Sequence, residues 1–427
     1  MIFYNKIIKK LSLTQIQFFL LCLIPLGLIF SRFVADFSLV LICIIFLYSF
    51  LAKKKNYFNN LFFKFFFVFW LFIVFRSIVS EDILFSLKSS FTYLRFAIFA
   101  IAIKYIFEKD INRIYIFFIF LLFVLLFTGL DGLIQFFTGQ NILGYKYQIE
   151  QLRLSGFFKD ELIIGSYLAR LAPTFVGMYF LSKHLHLTTK INDSHILLLI
   201  TFLFLPVILS GERVSTIFFF ITYILSFIFL NTSKIKKFSL IFLTIILLFI
   251  AANKSDVIQK RLFNQTLHQI GIEKSEESHL QKLYFFSIHH HYHAIAAYKI
   301  FKENIFFGSG VKMFRVICEK RYKSIDKFAC TTHPHNIILQ FLAETGLIGF
   351  FFYFFSLIYV IKKMIISFKF KKIAENSNQK KAIFFFLLAI LIGLFPILPS
   401  GNFFNNWISI TLFLPVGLYI ANVKDFS

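Results

Sequence analysis

Apolar stretches of roughly 17 to 25 residues, each long enough to cross about 30 Å of hydrocarbon, recur along nearly the whole chain. In lipid no water satisfies backbone N–H and C=O groups, so each stretch must close its own hydrogen bonds as a helix. The fold class expected is therefore all-α: a polytopic integral membrane protein of about twelve transmembrane helices. The expected spans are 14-31, 34-52, 60-79, 88-107, 114-135, 161-181, 195-210, 214-230, 238-252, 337-361, 382-398 and 407-423. A hydrophobic content of 58% and a mean hydropathy of +0.77 over 427 residues exclude an ordinary soluble domain. The first stretch has no small-residue cleavage site and is followed by more apolar sequence, so it reads as a retained helix rather than a signal peptide.

Lys and Arg fall on alternate connections: Lys6, Lys9 and Lys10; Lys53 to Lys55; Lys109 and Arg113; Lys183 and Lys190; Lys234, Lys236 and Lys237; and Lys362 to Lys381. Basic short loops stay on the cytoplasmic side, which places both termini inside. Glu81-Asp82, residues 136 to 160, Ser210-Gly211-Glu212-Arg213 and the long segment 253 to 336 then face outward. The chain divides into spans 1 to 9 (1-252), one large outer loop (253-336) and spans 10 to 12 (337-427). The net charge of +24 is accounted for by inside loops and anionic headgroups, and does not call for nucleic acid. No repeat of 20 to 50 residues is visible.

The outer loop is expected to be a helical cap. Leu283, Phe286, His290, Ala294, Ala297, Tyr298 and Phe301 recur at three- and four-residue spacing, as on an amphipathic helix, and Asn304 with the turn Gly308-Ser309-Gly310 ends it. Cys318 and Cys330, twelve positions apart in this loop, are candidates for a disulfide worth about 2 to 3 kcal/mol, with two free thiols as the alternative. The run His289-His290-His291-Tyr292-His293 reads as a solvated or interface helix. Its imidazoles are expected to point in different directions, and no metal site and no cofactor are expected.

Outside the membrane no ATP is available, so a reaction there must draw its energy from its substrate. Polyprenyl-pyrophosphate-linked glycans carry such a leaving group, and Arg suits it because its planar fork donates two hydrogen bonds at once. The outer-side arginines are Arg153, Arg213, Arg261, Arg315 and Arg321. Arg213, opening a span beside Glu212, is the strongest candidate for the pyrophosphate and Arg153 the second; simple interfacial anchoring is the alternative for both. Arg170 lies deep in a span, where an unpaired charge is expensive, and is expected to face an interior cavity. Asp131 is expected as an ion-pair partner of Arg170, Arg95 or Arg76, and Arg76 and Arg95 otherwise as snorkelling side chains.

The remaining feature is His333-Pro334-His335-Asn336, where the outer loop meets a span, followed by Glu344-Thr345-Gly346 and Gly349. A neutral imidazole at that edge could accept the proton of an attacking sugar hydroxyl. Asn336 could orient a hydroxyl, Gly346 and Gly349 allow close packing, and Glu344 could assist or pair structurally. A lone loop histidine is more often structural.

His335-Asn336, nine residues, Gly346, two residues and Gly349 resemble the signature of the O-antigen ligase and polymerase superfamily. The flanking words Phe301-Lys302-Glu303-Asn304, Gly308-Ser309-Gly310, Asp131-Gly132 with Gln135 and Gly139, and Arg153-Leu154-Ser155-Gly156 extend the likeness over about 125-360. The resemblance implies a bacterial inner-membrane enzyme with a periplasmic active site and a periplasmic loop. It implies metal-independent transfer of a glycan from undecaprenyl pyrophosphate to an acceptor hydroxyl. His335 maps to the catalytic histidine, with Arg213 and Arg153 as phosphate-binding arginines; Arg170 is grouped with them. A ligase takes lipid A core as acceptor, a polymerase a second lipid-linked repeat unit; the ligase-type reading is taken first. A lipid-linked glycan flippase is the competing transporter class, and a structural scaffold the third, but neither needs the His-Asn motif.

Overall fold

The structure, a computed structural model, describes residues 12–51, 57–187, 190–254, 257–269, 284, 286–369 and 378–422. The basic clusters at Lys6 to Lys10 and Lys53 to Lys55, Leu283, and parts of 253-336 and 362-381 lie outside the described residues. The described chain is helical throughout, with no strand and only two isolated bridges, Gln140 to Lys146 and Gln148 to Arg153.

The helices are α1 (Leu13–Phe30), α2 (Arg32–Leu51), α3 (Leu61–Ile78), α4 (Ile83–Phe91), α5 (Leu94–Lys109), α6 (Asn112–Thr138), α7 (Ile164–His184), α8 (Asp193–Leu209), α9 (Arg213–Phe229) and α10 (Lys234–Lys254). After them come α11 (Gln265–Gln269), α12 (Ile288–Glu303), α13 (Phe314–Ile317), α14 (Ile337–Lys369), α15 (Asn378–Gly393) and α16 (Asn406–Asn422). By length and composition six described segments can cross a membrane: α1, α2, α3, Ile83–Lys109, α6 and α14; α8, α9 and α16 are shorter apolar helices.

Two expected spans change shape for local reasons. The one expected at 88-107 starts earlier and is interrupted by a turn at Thr92 and Tyr93 between α4 and α5. The one expected at 382-398 stops at Gly393, because Pro396 and Pro399 remove donors and disfavour helical geometry in the residue before each.

The core sits around α7. It packs on α6, α8, α9 and α15, and between Ile164 and Ser182 every residue is buried except Ser166 and Arg170. These two lie one turn apart on one face. On this face Ser166 Oγ meets Glu212 and Ser215, and Arg170 lies one turn further along.

Asp131 does not pair with an arginine. Its carboxylate accepts from Asn141 Nδ2 at 3.1 Å and Ile142 N at 3.0 Å. One turn on, Gln135 accepts from Ser155 N at 3.0 Å and Gly156 N at 2.7 Å. These two α6 side chains hold the segment after α6, and with it Arg153, against the helix. Arg95 pairs with Asp36 at 2.9 Å and Arg76 Nε donates to the Gly308 carbonyl at 2.7 Å, so both have partners inside the protein instead of snorkelling.

Candidate active site

The segment from Thr332 to Asn336 is built against the α15–α16 connection. His335 is a non-glycine residue with φ of 54°, a left-handed conformation that needs support from its surroundings. That support is visible on every side. The His335 carbonyl accepts from Ser400 N at 2.8 Å. His333 faces Thr332 Oγ1 through Nδ1 at 2.9 Å and the Ser400 carbonyl through Nε2 at 3.2 Å. Asn336 caps α14, its Oδ1 accepting from Leu339 N at 3.1 Å, while its Nδ2 donates to the Pro396 carbonyl at 3.0 Å. Asn336 is thus engaged on both polar atoms with protein and fixes the backbone of its neighbour. His333 likewise uses both ring nitrogens.

The half-buried His335 ring is left among imidazoles. Its centroid lies 4.0 Å from His333, 5.3 Å from His293 and 5.6 Å from His290. Burial pulls the His335 pKa below the ordinary histidine value, partly opposed by the Ser400 carbonyl. Burial, with His335 beside it, lowers His333 to about 3 and His290 and His293 to about 4. Withdrawal from water disfavours the charged imidazolium, and several close imidazoles cannot all carry a proton. All four are neutral bases near pH 7.

The glycine words flanking the motif form one backbone interlock. At Gly346, φ 62° and ψ −164°, α14 breaks, and residues 305 to 310 pack into the break. Leu347 N donates to the Ile305 carbonyl at 2.8 Å, Ser309 N to Ala343 at 3.0 Å and Gly310 N to Glu344 at 2.8 Å. A Cβ on Gly346 would meet the Phe306 backbone at 2.4 Å, and one on Gly308 the Gly346 N at 2.4 Å. The role visible for Gly346 is therefore a helix break filled by another segment, and not helix packing as expected. Gly349, one turn on, faces Phe72. Glu344, fully buried, accepts from Gln340 Nε2 at 3.0 Å and Phe314 N at 3.4 Å. Its visible bonds tie α14 to the start of α13.

Beside the imidazoles, the N-terminal ends of α7 and α9 meet at Glu212. Its carboxylate accepts from Gly165 N at 2.7 Å, Ser166 N at 3.1 Å, Ser166 Oγ at 2.6 Å and Ser215 Oγ at 3.0 Å. The first two are orphan donors of α7, so Glu212 caps that helix from another element. Arg153 Nη2 stands 3.9 Å from the same carboxylate and donates to the Leu162 carbonyl. Arg170 is within electrostatic reach of Glu212, and Arg213 of Arg153 and of His290. Arg261, from the turn after α10, donates through Nε to the Gly211 carbonyl at 3.0 Å. Burial, with Arg153 and Arg213 nearby, pushes Arg261 down to about 10 against the opposing pull of Glu212 and Tyr147. Three guanidinium groups around one carboxylate, with Arg213 near two of them and two helix N-termini alongside, form an anion-attracting surface.

The structure thus brings Arg153, Arg170 and Arg213 together near Glu212, with Arg213 within electrostatic reach of His290, whose ring lies 5.6 Å from that of His335. Sequence reasoning missed the organising role of Glu212, the membership of Arg261, and the loop 396 to 402 that supports His335. The cluster Pro396, Pro399, Ser400, Gly401 and Asn402 carried a turn signal that could have marked that loop. It also missed that His290 and His293, three apart on α12, face His335 together. The buried face of α12 is His293, Ala296, Ala297 and Ile300, rotated from the expected one, and Tyr298 is exposed. No group of three or more His, Cys, Asp or Glu among the described residues could hold a metal ion. Cys318 and Cys330 are bonded to each other, with Cα atoms 5.5 Å apart. Arg321 bridges Glu303 and Glu81, tying α12 to the turn before α4.

No curated protein matches the chain. A family model described as O-Antigen ligase matches residues 197–354. The match includes Glu212, Arg213, Arg261, His290, His293 and the His335-Asn336 motif, while Arg153 and Arg170 lie before it and join through Glu212. The part of the chain from 197 to 354, which holds the motif and part of the arginine cluster, is thus similar to the O-antigen ligase family.

Proposed function

We propose that this chain transfers an oligo- or polysaccharide from undecaprenyl pyrophosphate to an acceptor hydroxyl, as a ligase acting on lipid A core. In this reading the protein crosses the bacterial inner membrane about twelve times with both termini cytoplasmic. Its active site and the 253-336 loop lie on the periplasmic face. The single observation that carries the reading is the juxtaposition of a neutral, left-handed His335 with an arginine cluster at one end of the helix bundle.

The attacking hydroxyl oxygen forms a bond to the anomeric carbon as the carbon–oxygen bond to the pyrophosphate breaks, with inversion. The hydroxyl proton passes to His335, which is the base. Undecaprenyl pyrophosphate departs with the bonding electrons, and Arg213, Arg153, Arg170 and Arg261 stabilise its charge. No metal ion is required to neutralise that charge, so transfer is expected to persist in EDTA. Asn336 acts by holding His335 in place.

A second feature supports a lipid-linked donor. An apolar cavity of about 320 Å³ is lined by α3, α14, α15 and α16. On α14 it is lined by Phe341, shortly after Asn336, and by residues between Phe352 and Val360, so the cavity suits part of an isoprenoid chain. A polymerase joining two lipid-linked repeat units would use the same groups with a different acceptor.

The test is transfer by purified protein in lipid nanodiscs from a synthetic undecaprenyl-pyrophosphate glycan, with EDTA present, offering lipid A core or a second donor molecule. Glycan on lipid A core supports the ligase reading, and elongated donor the polymerase reading. No product with either acceptor contradicts both.

A further inference from the structure

His293 is 7% exposed, and its Nδ1 has no hydrogen-bond partner within the protein. The Phe328 carbonyl lies near the same ring. A buried polar atom without a partner costs about 1 to 3 kcal/mol, so this nitrogen points to a partner that arrives from outside. The ring is stacked on His335, 26° from parallel with centroids 5.3 Å apart. Its neighbours differ: His333 is satisfied on both nitrogens, and His290 Nδ1 faces Ser287 Oγ at 2.6 Å.

We propose that His293 Nδ1 accepts a hydrogen bond from a second hydroxyl of the acceptor sugar, adjacent to the one that attacks, and so determines which hydroxyl of the acceptor reacts. This rests on the reading of His335 as the base for a carbohydrate hydroxyl. The ligand class is a vicinal diol on a saccharide: one hydroxyl gives its proton to His335, the other donates to His293. His293 makes or breaks no covalent bond; it is a specificity-determining residue.

The test uses equilibrium binding as well as transfer. The probes are core oligosaccharide and synthetic analogues each lacking one hydroxyl of the terminal sugar, applied to the full chain in nanodiscs. Wild type should bind one particular deoxy analogue about tenfold more weakly than the parent, as expected for one lost hydrogen bond. H293A should bind both about equally, at the weaker affinity. H293N, whose Oδ1 can stand in for Nδ1, should restore most of the discrimination, which a merely structural role would not do. In transfer, the H293A defect should appear in KM for the acceptor more than in kcat.

Equal binding of every deoxy analogue by wild type, with transfer intact, would overturn the His293 role and leave the proposed function standing. Discrimination retained in H293A would do the same. Absence of saccharide binding by wild type would overturn both. Chelator-sensitive transfer restored by zinc in wild type but not in H293A would also overturn the hydroxyl role, by making the imidazoles metal ligands.

Discussion

His335 and Glu212 represent two kinds of residue in this site. His335 was legible in the sequence, since its neighbours and spacing were distinctive. Glu212 was not, because its partners Gly165, Ser166 and Arg153 lie 46 or more positions away, and only tertiary structure joins them. Glu212→Gln removes the charge that balances the arginines and weakens the acceptor of the α7 donors. Hydrogen bonds to charged groups contribute about 1.5 to 3 kcal/mol each, so this variant should lose on the order of 2 kcal/mol. A lowered midpoint in thermal unfolding of detergent-solubilised protein measures this; an unchanged midpoint contradicts the capping role. Protonation gives a second prediction. Since His335 titrates below the ordinary histidine value, the acid limb of transfer should fall below about pH 6.5. His290, His293 and His333 are neutral in the fold, and below about pH 6.5 the unfolded chain binds more protons than the folded one. Stability present at neutral pH should therefore decline as pH falls toward 4, the value reached by His290 and His293.

At the scale of elements, apolar length located the helices well, because spanning segments must satisfy their own backbone. It erred at the turn by Thr92, where prolines intervene at Pro396, and on α12, whose buried face is set by packing rather than by the sequence period. The Gly346 break was outside its reach: a glycine spaced from a motif carries no sign of which segment will fill the gap. The interlock makes a firm prediction. Gly346→Ala would place a methyl group 2.4 Å from the Phe306 backbone at a φ of 62°, a backbone region close to glycine-only. Its loss should exceed about 3 kcal/mol and appear as poor recovery of folded protein by size-exclusion chromatography. Recovery of the Gly346→Ala variant equal to that of wild type would contradict the interlock.

For the whole molecule, one end of a buried helix, α7, and the start of α9 gather the arginines, and α12 and the α15–α16 connection pack around the segment that carries His335, the base in the proposed reading. An apolar slot lies between α3, α14, α15 and α16. This arrangement fits a substrate with a charged head and a long hydrocarbon tail. It was legible in outline, as arginines and a histidine at a membrane edge, but the convergence of 153, 170, 213, 261 and 335 was not, since those positions lie on five separate segments. The slot should be occupied by the donor tail: Ser356→Trp, a bulky change on its wall, should raise KM for the donor about tenfold with little effect on stability, and an unchanged KM would remove the tail from the slot. The central claim is that His335 is the base for glycan transfer. The most direct test compares wild type and His335→Ala, both correctly inserted and binding donor, in transfer from synthetic undecaprenyl-pyrophosphate glycan. The account predicts a fall of about a hundredfold or more with donor affinity kept; near-normal transfer by the variant would contradict it.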